Sequence, residues 1–229
     1  MNQDPVQALA QKIDHTLLKP EANRRQIVRL CEEAVIFGFG AVCVNPLWVG
    51  EAAQVLAGTP VRVATVVGFP LGATPTSCKV FEAERALGQG AQELDMVASL
   101  GLVKAGELSQ AQEDIAQVAK TAHACGAVLK VILETHLLTE EEKACLAEAA
   151  VAAGANFLKT STGFLGGGAT IEDVALLRRL APPSVGVKAS GGIRSFAQAR
   201  AMLAAGANRL GTSSGVAIVQ EARAWYASK

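Results

Sequence analysis

Aromatic residues make up only 4% of the 229-residue chain, so its core must be aliphatic. Net charge is missing too, because 21 basic and 21 acidic residues cancel. That balance excludes the broad cationic field on which nucleic-acid and anionic-membrane binders rely. Any anion bound here is small and held locally. Nowhere do about 18 apolar residues follow one another, so no helical membrane span is expected. The first residues, MNQDPVQALAQKIDHTLLKP, lack the basic start and unbroken apolar stretch of a signal peptide. Five cysteines (Cys31, Cys43, Cys78, Cys125 and Cys145) are odd in number and form no C-x-x-C pair. They read as reduced thiols of a cytoplasmic chain, packed as small buried hydrophobes, with no disulfide frame or zinc knuckle. Neither a Walker loop nor G-x-G-x-x-G nor H-E-x-x-H occurs, and His15, His123 and His136 are scattered. No nucleotide cofactor and no metal is expected.

What the chain does have is half hydrophobic residues, 22 glycines and a regular alternation. Short runs rich in Val, Ile and Leu read as buried parallel strands: 13–17, 41–44, 61–67, 93–97, 128–133, 157–160, 185–189 and 208–211. Between them lie amphipathic helical stretches at 24–37, 47–56, 76–87, 107–124, 140–153, 171–180, 196–205 and 216–226. Eight strand–helix units are the count of an α/β (β/α)8 TIM barrel, here with a short N-terminal helical extension and an interior filled with Val, Ile and Leu. An open doubly wound sheet is the rival, but it need not supply eight units. Gly-Ala stands before five strands, at Gly40, Gly90, Gly126, Gly154 and Gly206, and is expected to end a helix in the left-handed conformation. With no linker or change of composition, residues 1–229 read as one domain.

In such a barrel the chemistry sits at the carboxyl ends of the strands. Those positions hold Asp14 and Thr16, Cys43 and Asn45, Asp95, Lys130 and Glu134, Lys159 to Gly163, Lys188 to Gly192, and Ser213 with Ser214. Three of these lysines interrupt apolar runs, in VLKVIL, NFLKTST and VGVKASGG. A buried lysine must be paired or used. It could snorkel to the rim or pair with Asp95 or Glu134. Three at equivalent strand ends would converge on one mouth, where repulsion and desolvation lower a lysine pKa and yield a nucleophilic amine. The last three strands also end in glycine- and hydroxyl-rich turns, TSTG, ASGG and GTSSG. Such turns can be plain punctuation, yet they fall where barrels bind phosphate.

The strings IDHTLLKP, AVCVNP, VATVVGFPLG, ELDMV, LKVILET, FLKTSTGF, VKASGGIR and GTSSG, in this order, closely resemble the short form of the deoxyribose-phosphate aldolase family. The resemblance runs from about Ile13 to Ser214. It implies a metal-independent Schiff-base aldolase that reversibly cleaves 2-deoxy-D-ribose 5-phosphate to D-glyceraldehyde 3-phosphate and acetaldehyde, in deoxyribonucleotide catabolism. It further implies that Lys159 forms the Schiff base, that Lys188 lowers its pKa, and that Asp95 transfers protons with a water. Thr162 matches the residue contacting a sugar hydroxyl, and Gly163, Gly191, Gly192, Ser213 and Ser214 match the phosphate cradle. Asp14, Thr16, Cys43 and Lys130 match residues around the acetaldehyde end or behind the lysines. A homodimer or homotetramer is implied as well. Two departures stand out: Ala98-Ser99-Leu100-Gly101 replaces the Asn-Ile-Gly more usual after the fourth strand, and Trp225-Tyr226 near the end is expected to pack on the barrel. Two rivals remain, a related Schiff-base barrel with another phosphorylated substrate and a non-catalytic phosphate sensor.

Overall fold

A computed structural model describes residues 4–228. Eight parallel strands close into a barrel in chain order: β1 (Ile13–Leu17), β2 (Ala41–Val44), β3 (Arg62–Val67), β4 (Glu93–Val97), β5 (Val128–Ile132), β6 (Phe157–Lys159), β7 (Gly186–Ser190) and β8 (Arg209–Thr212), which pairs with β1. Around them run α1 (Pro5–Ala10), α2 (Arg24–Phe37), α3 (Val49–Val55), α4 (Thr76–Gly88), α5 (Leu100–Lys104), α6 (Leu108–Ala124), α7 (Glu140–Ala152), α8 (Ile171–Leu180), α9 (Phe196–Ala204) and α10 (Gly215–Ala227). This is the expected TIM barrel, and α1 is the expected extension, packed on α10. The sequence reading missed α5, a single turn and a half between β4 and α6.

The main core lies between the barrel and its helices. Leu94 and Met96 of β4, Leu129 and Val131 of β5, and Val187 and Ala189 of β7 face outward into it with Ile115, Val118, Leu146 and Leu177. Strand residues alternate, so their neighbours Glu93, Asp95, Lys130 and Lys188 face the barrel axis. The expected aliphatic interior is therefore only partly right. Leu18, Cys43, Ala64 and Val66, with Phe69, form a small apolar cluster apart from the main core, and buried charges occupy the axis-facing positions of the other strands, β1 and β4 beside it included.

Two further expectations are corrected. Gly90, Gly126, Gly154 and Gly206 have positive φ, but Gly40 does not. At that turn Gly38 takes the left-handed cap, while a Cβ on Gly40 would lie 2.3 Å from the Gln11 carbonyl oxygen, so Gly40 serves close approach rather than helix termination. Among the cysteines only Cys31 and Cys43 are buried; Cys78 and Cys125 are exposed on helices that the chain packs by their other faces.

Candidate active site

At the carboxyl end of the strands the loops after β1, β6, β7 and β8 enclose a cavity of about 350 Å³. Thr16, Leu17 and Leu18 form one wall, Thr162, Gly163 and Phe164 another, and Ser190 to Arg194 with Gly211 to Ser213 a third. Lys159 stands in the lining, while Lys130 and Lys188 do not. Of the three lysines singled out in the sequence, one alone is offered to a ligand.

The register explains how the charges meet. Asp95 pairs across the sheet with Lys130, Lys159 with Lys188, and Lys188 with Arg209. Asp95 is fully buried, and its Oδ1 accepts from Lys130 Nζ at 2.8 Å. Its Oδ2 accepts from both Lys159 and Lys188, each at 2.7 Å. Asp95 thus serves three lysines at once. Lys188 also donates to Asp14 Oδ2 at 2.5 Å, and Asp14 Oδ1 receives Arg209. Lys130 lies 2.6 Å from Glu93 Oε2 and 3.7 Å from Asp14.

Counting formal charges in this cluster decides which amine is reactive. Four buried or part-buried cations (Lys130, Lys159, Lys188, Arg209) face three carboxylates (Asp14, Glu93, Asp95), so one proton is in excess among them, and the exposed Arg62, 3.4 Å from Glu93 Oε1, adds further positive charge. Lys130, Lys188 and Arg209 each contact two carboxylates or more. Lys159 has a single carboxylate oxygen and shares it with Lys188. Burial pushes its pKa down, Asp95 opposes this, and the neighbouring Lys188 charge adds to the fall. Burial opposes the charge of Lys188 as well, yet Asp14 and Asp95 together hold its pKa far above the ordinary lysine value. Lys130 is likewise raised, against burial, chiefly by Asp95. Burial would raise the Asp95 pKa, but Lys130, Lys159 and Lys188 hold it well below the usual carboxylate range. Of the three lysines Lys159 gives up a proton most readily, and it is the one that lines the cavity.

Sequence reasoning missed Glu93 and Arg209, because only the carboxyl ends of strands were searched. Each opens its strand and faces the axis from below, and the charged first residue of ELDMV and of RLGT is the signal that would have found it. Arg194 and Lys19 were missed too. Both line the cavity, no acid does, and no ion pair engages either of them among the described residues.

The remaining candidates fall as follows. Thr16 lines the cavity, although its hydroxyl donates to the Asp14 carbonyl at 2.8 Å. Cys43 is buried in the apolar cluster, and burial, with help from Asp95, pushes its thiol up to about 11, so it stays protonated. Thr162, Gly163, Gly191, Gly192 and Ser213 all line the cavity. Ser214 does not; it starts α10, and its N–H donates to Thr212 Oγ1 at 2.9 Å. Gly163, Gly191 and Gly192 have φ of 80°, 92° and 81°, which only glycine adopts freely. A Cβ on Gly191 would come within 2.9 Å of Gly168 Cα, so these two loops touch backbone to backbone. Glu134, offered as a lysine partner, instead accepts from the Thr162 N–H and hydroxyl. Ser99, in the departing segment, accepts from Lys79 Nζ at 2.7 Å and donates to Asp114, outside the cavity. Tyr226, 40% exposed, lies edge-on to Trp225 with ring centroids 4.7 Å apart and near Phe196 of α9, so its ring meets a helix and not the strands.

The chain as a whole is similar to known proteins. Residues 8–221 match the family model described as DeoC/LacD family aldolase. The deoxyribose-phosphate aldolase of Thermococcus gammatolerans is 57% identical over 217 residues, covering 94% of this chain and 96% of the relative. That of Halalkalibacterium halodurans is 55% identical with the same coverage. Among solved structures, the tetrameric deoxyribose phosphate aldolase of Aeropyrum pernix superposes with a TM-score of 0.91 at 36% identity, covering 96% of this chain and 93% of that one. A family model over most of the chain and relatives more than half identical over nearly all of it agree, and the chain belongs to the DeoC/LacD aldolase family.

Proposed function

We propose that the protein reversibly cleaves 2-deoxy-D-ribose 5-phosphate to D-glyceraldehyde 3-phosphate and acetaldehyde, with Lys159 as the Schiff-base residue. The observation that carries the residue assignment is the charge count, four cations on three carboxylates, with Lys159 the least paired and the one in the cavity.

The open-chain sugar presents an aldehyde at C1. Lys159 Nζ attacks it, and loss of water gives a protonated Schiff base. The hydroxyl on C3 then gives up its proton, the C2–C3 bond breaks, and its electron pair moves into the iminium to form an enamine. C3 leaves as the aldehyde carbon of D-glyceraldehyde 3-phosphate. Protonation of the enamine at C2 and addition of water release acetaldehyde and restore the amine. Asp95 Oδ2, 2.7 Å from Lys159 Nζ, is the nearest anion and, with a water, moves these protons. Lys188 keeps the amine neutral before attack by adding positive charge beside it.

Gly163, Gly191, Gly192 and Ser213 hold the phosphate in this reading, with Ser214 behind them at the start of α10 and Lys19 and Arg194 as counter-charges. Lining residues and the absence of acids among them support it. Remote phosphate binding orients C1 over Lys159, so the unphosphorylated sugar loses kcat as well as affinity. The proposal extends to a homodimer or homotetramer, supported by the exposed Ile36, Leu47 and Phe81 and by the tetrameric relative. A cytoplasmic place in deoxyribonucleotide catabolism follows from the same reading. The test is a panel of sugar phosphates with released acetaldehyde as readout: cleavage of the 2-deoxyribose ester supports it, and preference for another ester moves the protein to a different aldolase substrate.

A further inference from the structure

Glu134 is the one non-glycine among the described residues with positive φ (53°, with ψ 60°). A glutamate in the left-handed region is disfavoured where glycine would sit freely, so something other than the turn retains it. Its side chain is fully buried just past the end of β5. The backbone on either side is tied to the β6 end, Leu133 N–H to the Lys159 carbonyl at 2.9 Å and Thr135 N–H to the Thr160 carbonyl at 3.0 Å. The strained residue therefore aims its carboxylate across the strand gap at the loop that follows Lys159.

There Oε2 accepts from the Thr162 N–H at 3.1 Å and from the Thr162 hydroxyl. The Thr162 Oγ in turn accepts from the Phe164 N–H at 3.1 Å. A hydroxyl has one donor and two lone pairs. With its proton given to Glu134 and one lone pair to Phe164, Thr162 has a single lone pair left, and Thr162 lines the cavity beside Lys159. On the far side His136 Nδ1 stands 3.2 Å from Glu134 Oε1, and its Nε2 reaches the Leu165 carbonyl at 2.8 Å. Oε1 itself is buried without a hydrogen-bond partner, so Oε2 alone ties the carboxylate to the Thr162 loop.

We infer that Glu134 is a positioning residue for the reaction, fixing Thr162 as a hydrogen-bond acceptor only, so that the site selects a substrate hydroxyl able to donate. The inference rests on the aldolase reading. It depends on an oxygen at the reach of a glutamate side chain and not on its charge. Glutamine at 134 supplies that oxygen, and aspartate falls one methylene short.

The experiment compares two rates in the whole protein: kcat/KM for 2-deoxyribose 5-phosphate cleavage, and borohydride trapping of acetaldehyde on Lys159. Acetaldehyde has no hydroxyl for Thr162, so trapping reads the amine and not the contact. Glu134→Asp is expected to lower cleavage about tenfold, the scale of one lost hydrogen bond, and to leave trapping unchanged. Glu134→Gln recovers most of that loss, and combining Glu134→Asp with Thr162→Val costs no more than Thr162→Val alone. Equal falls in cleavage and trapping, additive losses in the double variant, or full cleavage by Glu134→Asp would overturn the inference. Should the aspartate variant misfold, glutamine decides: a Glu134→Gln enzyme as slow as Thr162→Val overturns it, and a faster one supports it. Failure of the unaltered protein to trap acetaldehyde would instead overturn the aldolase reading.

Discussion

At the scale of single residues, the cluster around Asp95 turns an ordinary lysine into a nucleophile by distributing one proton too many. Lys188→Ala removes the charge beside Lys159 and leaves Asp95 Oδ2 to it alone. Both changes raise the Lys159 pKa, so activity should appear at higher pH; an unshifted acidic limb in the kcat/KM profile would contradict the charge argument. Asp95→Asn should cost about 10²–10⁴-fold in kcat, the usual range for a lost acid–base group. Arg194→Ala, which touches the cavity but not the amine, should raise KM for the phosphate ester and leave acetaldehyde trapping as it was. The three lysines were legible in the sequence because each breaks an apolar run. Glu93 and Arg209 were not, since each lies at the end of its strand away from the mouth, and only the closed barrel turns it onto the axis against the lysines. Thr162 was legible as a motif position, but its dependence on Glu134 was hidden in a backbone angle that no sequence pattern prints.

Elements show the same division between local pattern and tertiary context. The eight strands were readable because parallel strands are apolar runs, and capping boxes at Asn23/Gln26, Thr139/Glu142 and Ser195/Gln198 start α2, α7 and α9 where periodicity places them. Helix α5 escaped because five residues hold too little periodicity to register and form a helix only when packed on α6. Two glycines test the reading of turns. Gly50 lies inside α3 with open space around its missing Cβ, so Gly50→Ala should stabilise by about 0.5–1 kcal/mol. Gly40→Ala drives a Cβ into the Gln11 carbonyl and should destabilise. Urea midpoints of the two variants moving in opposite directions would bear this out, and equal shifts would not.

For the whole molecule, reading residues 1–229 as one domain predicts a single cooperative unfolding transition, with calorimetric and van't Hoff enthalpies in agreement. Stability should also fall in acid for a specific reason. Burial would raise the pKa of Asp14 and Asp95, but Lys188, Lys130 and Arg209 hold Asp14, and Lys130, Lys159 and Lys188 hold Asp95, below their unfolded values. Their contribution is present above the unfolded carboxylate pKa of about 3.9 and is lost as the pH falls through the folded values. Urea midpoints should therefore decline below about pH 4, and Asp14→Asn should flatten that decline. Everything above converges on one amine. The most direct test is mass mapping of the adduct after borohydride reduction with acetaldehyde: one two-carbon addition on Lys159 is predicted, and an adduct on Lys188 or Lys130, or none at all, would contradict the account.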